Sequence, residues 1–341
     1  MMYTSRLRSR QAGFSLVELM VAVTISLLVL TALSAIFISS SRSRNEMQKS
    51  TQQQESGRYA AELLADNLKM AGYLAEFDAT PMTTPATLPD PCVTSIANLL
   101  TAMPLHVQGV NDATNIPSCL SDVKTGTDIV VIRRASTCVA GVAGCPAFVD
   151  GEPYFQASLC TPNDGSGAEL AHAISTDADY AAYHFALSTS AADFTRRKTS
   201  CVATDLAAIQ RYFVHIYFIA NNNESGDGIP TLKRAELGAG TFNIVPLVDG
   251  IEDMQIQYGV DTNGDGVPNS YTSAPADTAA WRNAMSASVH LLARNTTSTQ
   301  GYTDSRVYTL GDKEVSAPND GYKRHVYSTT AQFVNPSWRR Q

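Results

Sequence analysis

GFSLVELMVAVTISLLVLTALSAIFI, residues 13–38, decides how the rest of this chain has to be read. From Phe14 to Ile38 run twenty-five residues with one ionisable side chain, Glu18. At about 1.5 Å of rise per residue, a helix of that length exceeds the roughly 30 Å hydrocarbon core of a bilayer. The segment can span a membrane. The stretch before it, MMYTSRLRSRQAG, carries Arg6, Arg8 and Arg10 and no acid. The excess of cations keeps that leader on the cytoplasmic side and sends the chain beyond Ile38 across the membrane.

A secretory signal peptide has a shorter apolar stretch with a small-residue cleavage site behind it. Here the small residue, Gly13, stands in front. A cut after Gly13 leaves the apolar helix on the mature chain and frees a cationic amine at Phe14. A carboxylate within the membrane costs about 2.5 to 3.5 kcal/mol on insertion scales, which marks a residue that has a partner or a function. Residues 14 and 18 are i and i+4 on one helix face, so the new amine can reach Glu18 of its own chain or of a neighbour. The plain alternative is an uncut signal anchor whose glutamate snorkels to the interface.

GFSLVEL with the apolar run behind it resembles the class III signal of type IV pilins and type II secretion pseudopilins. The resemblance implies cleavage between Gly13 and Phe14 by a prepilin peptidase, methylation of the Phe14 amine, and use of Glu18 and Phe14 in docking to the adjacent subunit. It also implies storage in the inner membrane, single-pass with the head in the periplasm, and display on the cell surface after assembly.

Removing the leader takes three of the 25 basic residues and no acid, so 22 remain against 32 acidic ones, a net charge of −10 with neutral histidines. That balance argues against nucleic acid as a main partner. Six cysteines, Cys92, Cys119, Cys138, Cys145, Cys160 and Cys201, all lie beyond the apolar segment and form no CxxC pair. In an oxidising compartment they are disulfide candidates, with Cys138 and Cys145 placed to close a small loop; zinc-ligand spacing is missing.

Beyond Ile38 the chain turns polar through Arg58 without proline, so helix can continue. YAAELLADNLKMAGYL then puts Tyr59, Leu63, Leu64, Leu68 and Ala71 on one stripe, with Gly72 as a stop. One helix from Phe14 to about Met70 would be roughly 85 Å long. From Thr80 to about residue 205 the composition reads as disulfide-rich loops with one strand, TDIVVIRR at Thr127–Arg134, and short turns within Gly165–Phe194. Strand patterns then recur at Arg211–Ala220, Ile251–Val260, Ser286–Arg294, Arg306–Leu310 and His325–Val334. The expected fold is α+β, pilin-like. It comprises a leader over 1–13, a membrane or filament-core helix over 14–38, its amphipathic continuation over 39–72, and an antiparallel β-sheet head over 73–341.

GIPTLKRAEL at Gly228–Leu237, PLVDGIEDMQIQYGVDTNGDG at Pro246–Gly266 and the closing RHVYSTTAQFVN are similar to the PilW-type minor pilins, relatives of the J-type pseudopilins. The family implies a non-enzymatic subunit of a priming or tip complex supporting adhesion, twitching motility or DNA uptake. Its implied partners are other minor pilins, the major pilin, the prepilin peptidase and a tip adhesin. Two alternatives are a J-type pseudopilin of type II secretion and a membrane-anchored extracytoplasmic binding protein.

Asp261, Asn263, Asp265, Val267 and Asn269 stand at positions one, three, five, seven and nine of a calcium-loop pattern with Gly266 at six. Thr272 replaces the bidentate glutamate at twelve, and Asn-Gly and Asp-Gly are equally strong hairpin-turn signals. Calcium is the one cofactor expectation. His106, His172, His184, His215, His290 and His325 are dispersed, with no HExxH. Gly165-Ser166-Gly167 lacks nucleophile-elbow spacing, and no phosphate loop occurs, so the sequence offers no catalytic machinery.

Overall fold

The computed structural model describes residues 13–161 and 169–340. Leader residues 1–12, with their three arginines, and Gly165-Ser166-Gly167 lie outside the described residues. One helix, α1, runs Leu16–Lys69, 54 residues without proline. Gly72 ends the run at φ +71°, a left-handed conformation that glycine adopts freely, and its N–H donates to Arg133 O at 2.9 Å. A Cβ there would approach His106 Cβ to 2.9 Å, so turn and close contact both need the glycine.

The chain divides into two compact units within α1, residues 1–51 and 52–341. In the first, every described residue through 45 is exposed, and α1 is long and apolar enough to cross a membrane. Four hydroxyls of its apolar stretch bond inside the helix. Thr24 donates to Met20 O and Val21 O, Ser26 to Ala22 O, Thr31 to Leu28 O and Ser34 to Leu30 O, all at 2.7–3.0 Å. Such back-bonding is what a hydroxyl needs where water is absent.

In the second unit the helix buries Gln53, Gly57, Ala60, Ala61, Leu64, Ala65 and Leu68. Tyr59, placed on this stripe by periodicity, is instead 57% exposed. The buried line passes through alanines, which let the helix axis come close to the strands. Gly57 has a specific reason to lack a side chain: a Cβ there would lie 2.2 Å from Cε2 of Tyr327. The Gln53 amide donates to Ala293 O and Lys323 O, both at 2.8 Å, fastening the helix to strand ends.

Two sheets, rather than one, receive it. The larger has seven antiparallel strands: β1 Val107–Val110, β2 Ile129–Val139, β3 Tyr154–Ala157, β4 Phe185–Ser188, β5 Gln210–Ala220, β6 Thr231–Leu237 and β7 Phe242–Asp249. They run β1-β2-β5-β3-β4, with β6 also on β5 and β7 on β6. The second sheet contains β8 Ile251–Val260, β9 Ser270–Thr272, β10 Ala284–Arg294 and β13 Arg324–Gln332 in the order β13-β10-β8-β9. Between β10 and β13 in sequence lies a hairpin, β11 Tyr308–Leu310 with β12 Lys313–Val315.

Leu64, Leu68 and the helix alanines share one core with Val130, Ile132 and Ile219 of the larger sheet and Met254, Ile256, Val289 and Leu291 of the smaller. A second core, including Phe77, Leu99, Phe155, Phe185, Val214 and Phe218, covers the opposite face of the larger sheet. The cysteine-containing stretch supplies the short strands β1, β3 and β4 beside the longer β2, and much of this second core. Its cysteines pair as Cys92–Cys119, Cys138–Cys145 and Cys160–Cys201.

Candidate functional site

At the start of α1, Gly13 to Ser15 are non-helical and Phe14 is 88% exposed. Nothing lies within 4 Å of a Cβ built on Gly13. The fold itself places no demand for glycine there. Ser15 occupies the N-cap: its carbonyl accepts the first helical N–H, from Leu19, at 3.1 Å. Its hydroxyl accepts from Val17 N–H at 3.3 Å, while Glu18 Oε2 accepts from Ser15 N–H at 2.9 Å. The sequence carries the capping-box string S-x-x-E as Ser15-Leu16-Val17-Glu18; the glutamate half is formed, and the serine hydroxyl takes the N2 rather than the N3 N–H. Glu18 thus has a task within its own chain. Its negative charge also faces the positive end of the helix macrodipole. Ser15 is the residue that the spacing of Phe14 and Glu18 does not single out, and the signal for it is the capping-box string itself.

The Asp261 loop joins β8 to β9, with Val260 paired to Ser270 and Tyr258 to Thr272. Asp261, 1% exposed, accepts through Oδ1 from Asn263 N–H at 3.1 Å and Gly264 N–H at 2.6 Å, and through Oδ2 from Gly266 N–H at 2.9 Å. Arg340 Nη1 reaches the same oxygen at 3.4 Å. Burial pushes this carboxyl up, but those N–H groups and Arg340 outweigh it and hold it below the usual range. The Asn263 amide donates to Asp265 Oδ2 at 2.9 Å, and Asn269 Oδ1 accepts from Thr262 N–H at 2.9 Å. Val267 N–H donates to Asp265 Oδ1 at 2.8 Å.

As folded, these side-chain oxygens are engaged by N–H and amide groups of the loop itself. Among the described residues no group of three or more His, Cys, Asp or Glu is disposed to hold a metal. The Asn-Gly and Asp-Gly turn chemistry accounts for the loop as a hairpin connection.

Of the dispersed histidines, His215 is buried on β5 and His290 Nδ1 lies 2.8 Å from Ser328 Oγ across β10 and β13. His106 is buried with Nε2 2.7 Å from Ala284 O, and burial lowers its pKa to about 4, so it is a neutral core residue.

Residues 216–335, from within β5 to just past β13, match the family described as type IV pilus-assembly protein W. Residues 8–34 match the prokaryotic N-terminal methylation motif. No curated protein matches the sequence. A solved structure, the type IV-like pilin TTHA1219 from Thermus thermophilus, aligns over 83% of this chain and 95% of its own at 12% identity, with a TM-score of 0.34. The two matched segments, one at the apolar N-terminus and one through the β-rich head, make the chain similar to the type IV pilus-assembly protein W family over residues 216–335 and to the N-terminal methylation motif over residues 8–34.

Proposed function

We propose that this chain is a minor pilin, held in the inner membrane by residues 14–38, cut after Gly13, and built through Glu18 into a priming or tip complex of a type IV pilus. The observation that carries the reading is the capped, self-satisfied apolar helix with a single acid, joined to a head that matches a pilus-assembly family. The partners are other minor pilins, the major pilin and the prepilin peptidase, with a tip adhesin at the distal end. The head lies in the periplasm before assembly and on the filament afterwards.

Glu18 is engaged by Ser15 N–H before any neighbour arrives. A carboxylate has about four acceptor positions, so it can keep that bond and still receive the Phe14 amine of an adjacent chain. Because the surroundings of Gly13 are open, Gly13→Ala leaves the fold intact. Any loss of cutting in that variant therefore reports the peptidase's requirement.

N-terminal sequencing of the native protein from sheared filaments and from membranes tests the reading. A start at a methylated Phe14 in both fractions supports it. Functional filaments containing a chain that still begins before Gly13 overturn it.

A further inference from the structure

The larger sheet presents one face that changes character along its strands. Val130, Ile132, Tyr217, Ile219 and Leu232 lie in the core shared with α1. Further along the same face, by the two-residue alternation of a strand, come Arg134 on β2, His215, Phe213 and Arg211 on β5, and Arg234 and Glu236 on β6. Pairing brings Arg134 opposite Phe213, His215 opposite Glu236, and Tyr217 opposite Arg234. The guanidinium carbons of Arg134 and Arg211 lie 4.9 and 5.3 Å from the centre of the Phe213 ring, which fixes both cations against one aromatic platform.

The charges here do not cancel. Glu236 lies 2.8 Å from Arg234 and 3.4 Å from Arg211, and Glu152 lies 2.9 Å from Arg211. Three guanidiniums meet two carboxylates. Arg134 donates to Ala135 O at 3.2 Å but has no acid within ion-pair distance among the described residues. The His215 ring is 3% exposed, and neither of its nitrogens has a hydrogen-bond partner; Glu236 is 3.7 Å away. Nε of Arg134, Arg211 and Arg234 is likewise buried and unpartnered. Burial first, and the three arginines after it, hold His215 well below its ordinary pKa, so it adds no charge. A half-buried surplus cation beside orphaned buried donors is an incomplete arrangement.

We propose that this patch receives one carboxylate, carried by an acidic side chain of a neighbouring filament subunit, with Arg134 as its main partner. The proposal rests on the filament-subunit reading and names the chemistry of one of its contacts. A planar carboxylate matches the guanidinium fork. One surplus charge suits one acid, whereas a nucleic-acid backbone is held through many phosphates at once. On β7, Asn243 opposite Glu236 and Val245 opposite Arg234 are exposed and rim the patch as a protein contact requires.

Arg134→Lys places an amine at this position, and carbodiimide treatment of assembled filaments then couples it to any carboxylate in contact. The expected product is an amide joining residue 134 to an Asp or Glu of another polypeptide, identified by mass spectrometry. Arg134→Gln is expected to lower incorporation about tenfold or more while leaving head melting unchanged. Coupling only to Glu236 or Glu152 of the same chain, or no coupling in a processed and assembled chain, overturns the proposal. If Arg134→Lys does not fold, Arg134→Gln with its incorporation and melting readouts carries the test, and normal incorporation of that variant overturns the proposal. Processing at Phe14 is scored on the same sample. An uncut chain that still gives the intermolecular amide overturns the assembly reading and leaves the carboxylate contact standing.

Discussion

The two halves of α1 are one continuous helix with opposite fates. Residues 16–38, the more apolar half, have no side chain buried in their own chain, while the more polar half buries seven residues from Gln53 to Leu68. Burial therefore tracks arrangement rather than hydrophobicity. The first half is apolar all round, a character that suits lipid or the helices of other subunits. The second half gathers small and apolar residues on one line, and two sheets close over that line.

Glu18 breaks this comparison most forcefully. Glu18→Gln keeps an oxygen for Ser15 N–H but loses the charge, so cleavage and head melting should be unchanged. Incorporation should fall by about a hundredfold, the equivalent of an uncompensated ion in an apolar setting. Immunoblots of sheared filaments measure the loss, and normal incorporation of this variant would remove the docking role. Glu18→Ala also loses the cap bond, and any further defect relative to Glu18→Gln isolates the capping contribution.

Substituting leucine in each half gives the next largest effect. Leu64→Ala should destabilise the head by about 3 kcal/mol, the usual cost of emptying a core site. Leu28→Ala should leave the melting of the same detergent-solubilised protein unaltered, since nothing in the chain covers it. Equal effects would mean that the halves are not energetically distinct. Gly57→Ala should cost about 1 to 3 kcal/mol by forcing the Tyr327 ring aside. Combining it with Tyr327→Ala should recover part of that loss in a double-mutant cycle.

Buried Asp128 offers the counterpart of exposed Glu18. Burial raises its pKa to about 7, although Asp112 N–H and Ile256 N–H donate to it at 2.8 and 2.7 Å. Its folded-state value lies above the unfolded one, near 3.9, so the folded state holds the proton more tightly. Its contribution to stability is greatest in acid and declines as pH rises from about 4 to about 7. Asp128→Asn should flatten that part of a denaturant-measured stability profile. The smallest effect is expected from calcium: chelator or added calcium should not move head melting. A calcium-dependent rise would show that the Asp261 loop can exchange its backbone donors for an ion.

The sequence made α1 legible to within about two residues at each end because an unbroken proline-free run closes on a glycine stop, and β5, β8, β10 and β13 because their runs reach nine to eleven residues. VQGV, YFQA and FALS are too short for alternation to be read, and their pairing depends on partners far along the chain. Tyr59 shows a different limit. Periodicity treats a large aromatic as a core residue, but the close approach between helix and sheets selects alanine. At the N-terminus, Gly13, Phe14 and Glu18 were visible from type and spacing, whereas Arg134 and His215 emerge only when β2, β5 and β6 lie side by side.

Thr24, Ser26, Thr31 and Ser34 each bond to their own helix. Moving that rod from fatty tails to a protein bundle, or back again, breaks none of those bonds and demands no replacement. On the reading proposed above, the journey is then close to reversible in polar terms, which leaves a single carboxylate near the tip of the rod to set its direction.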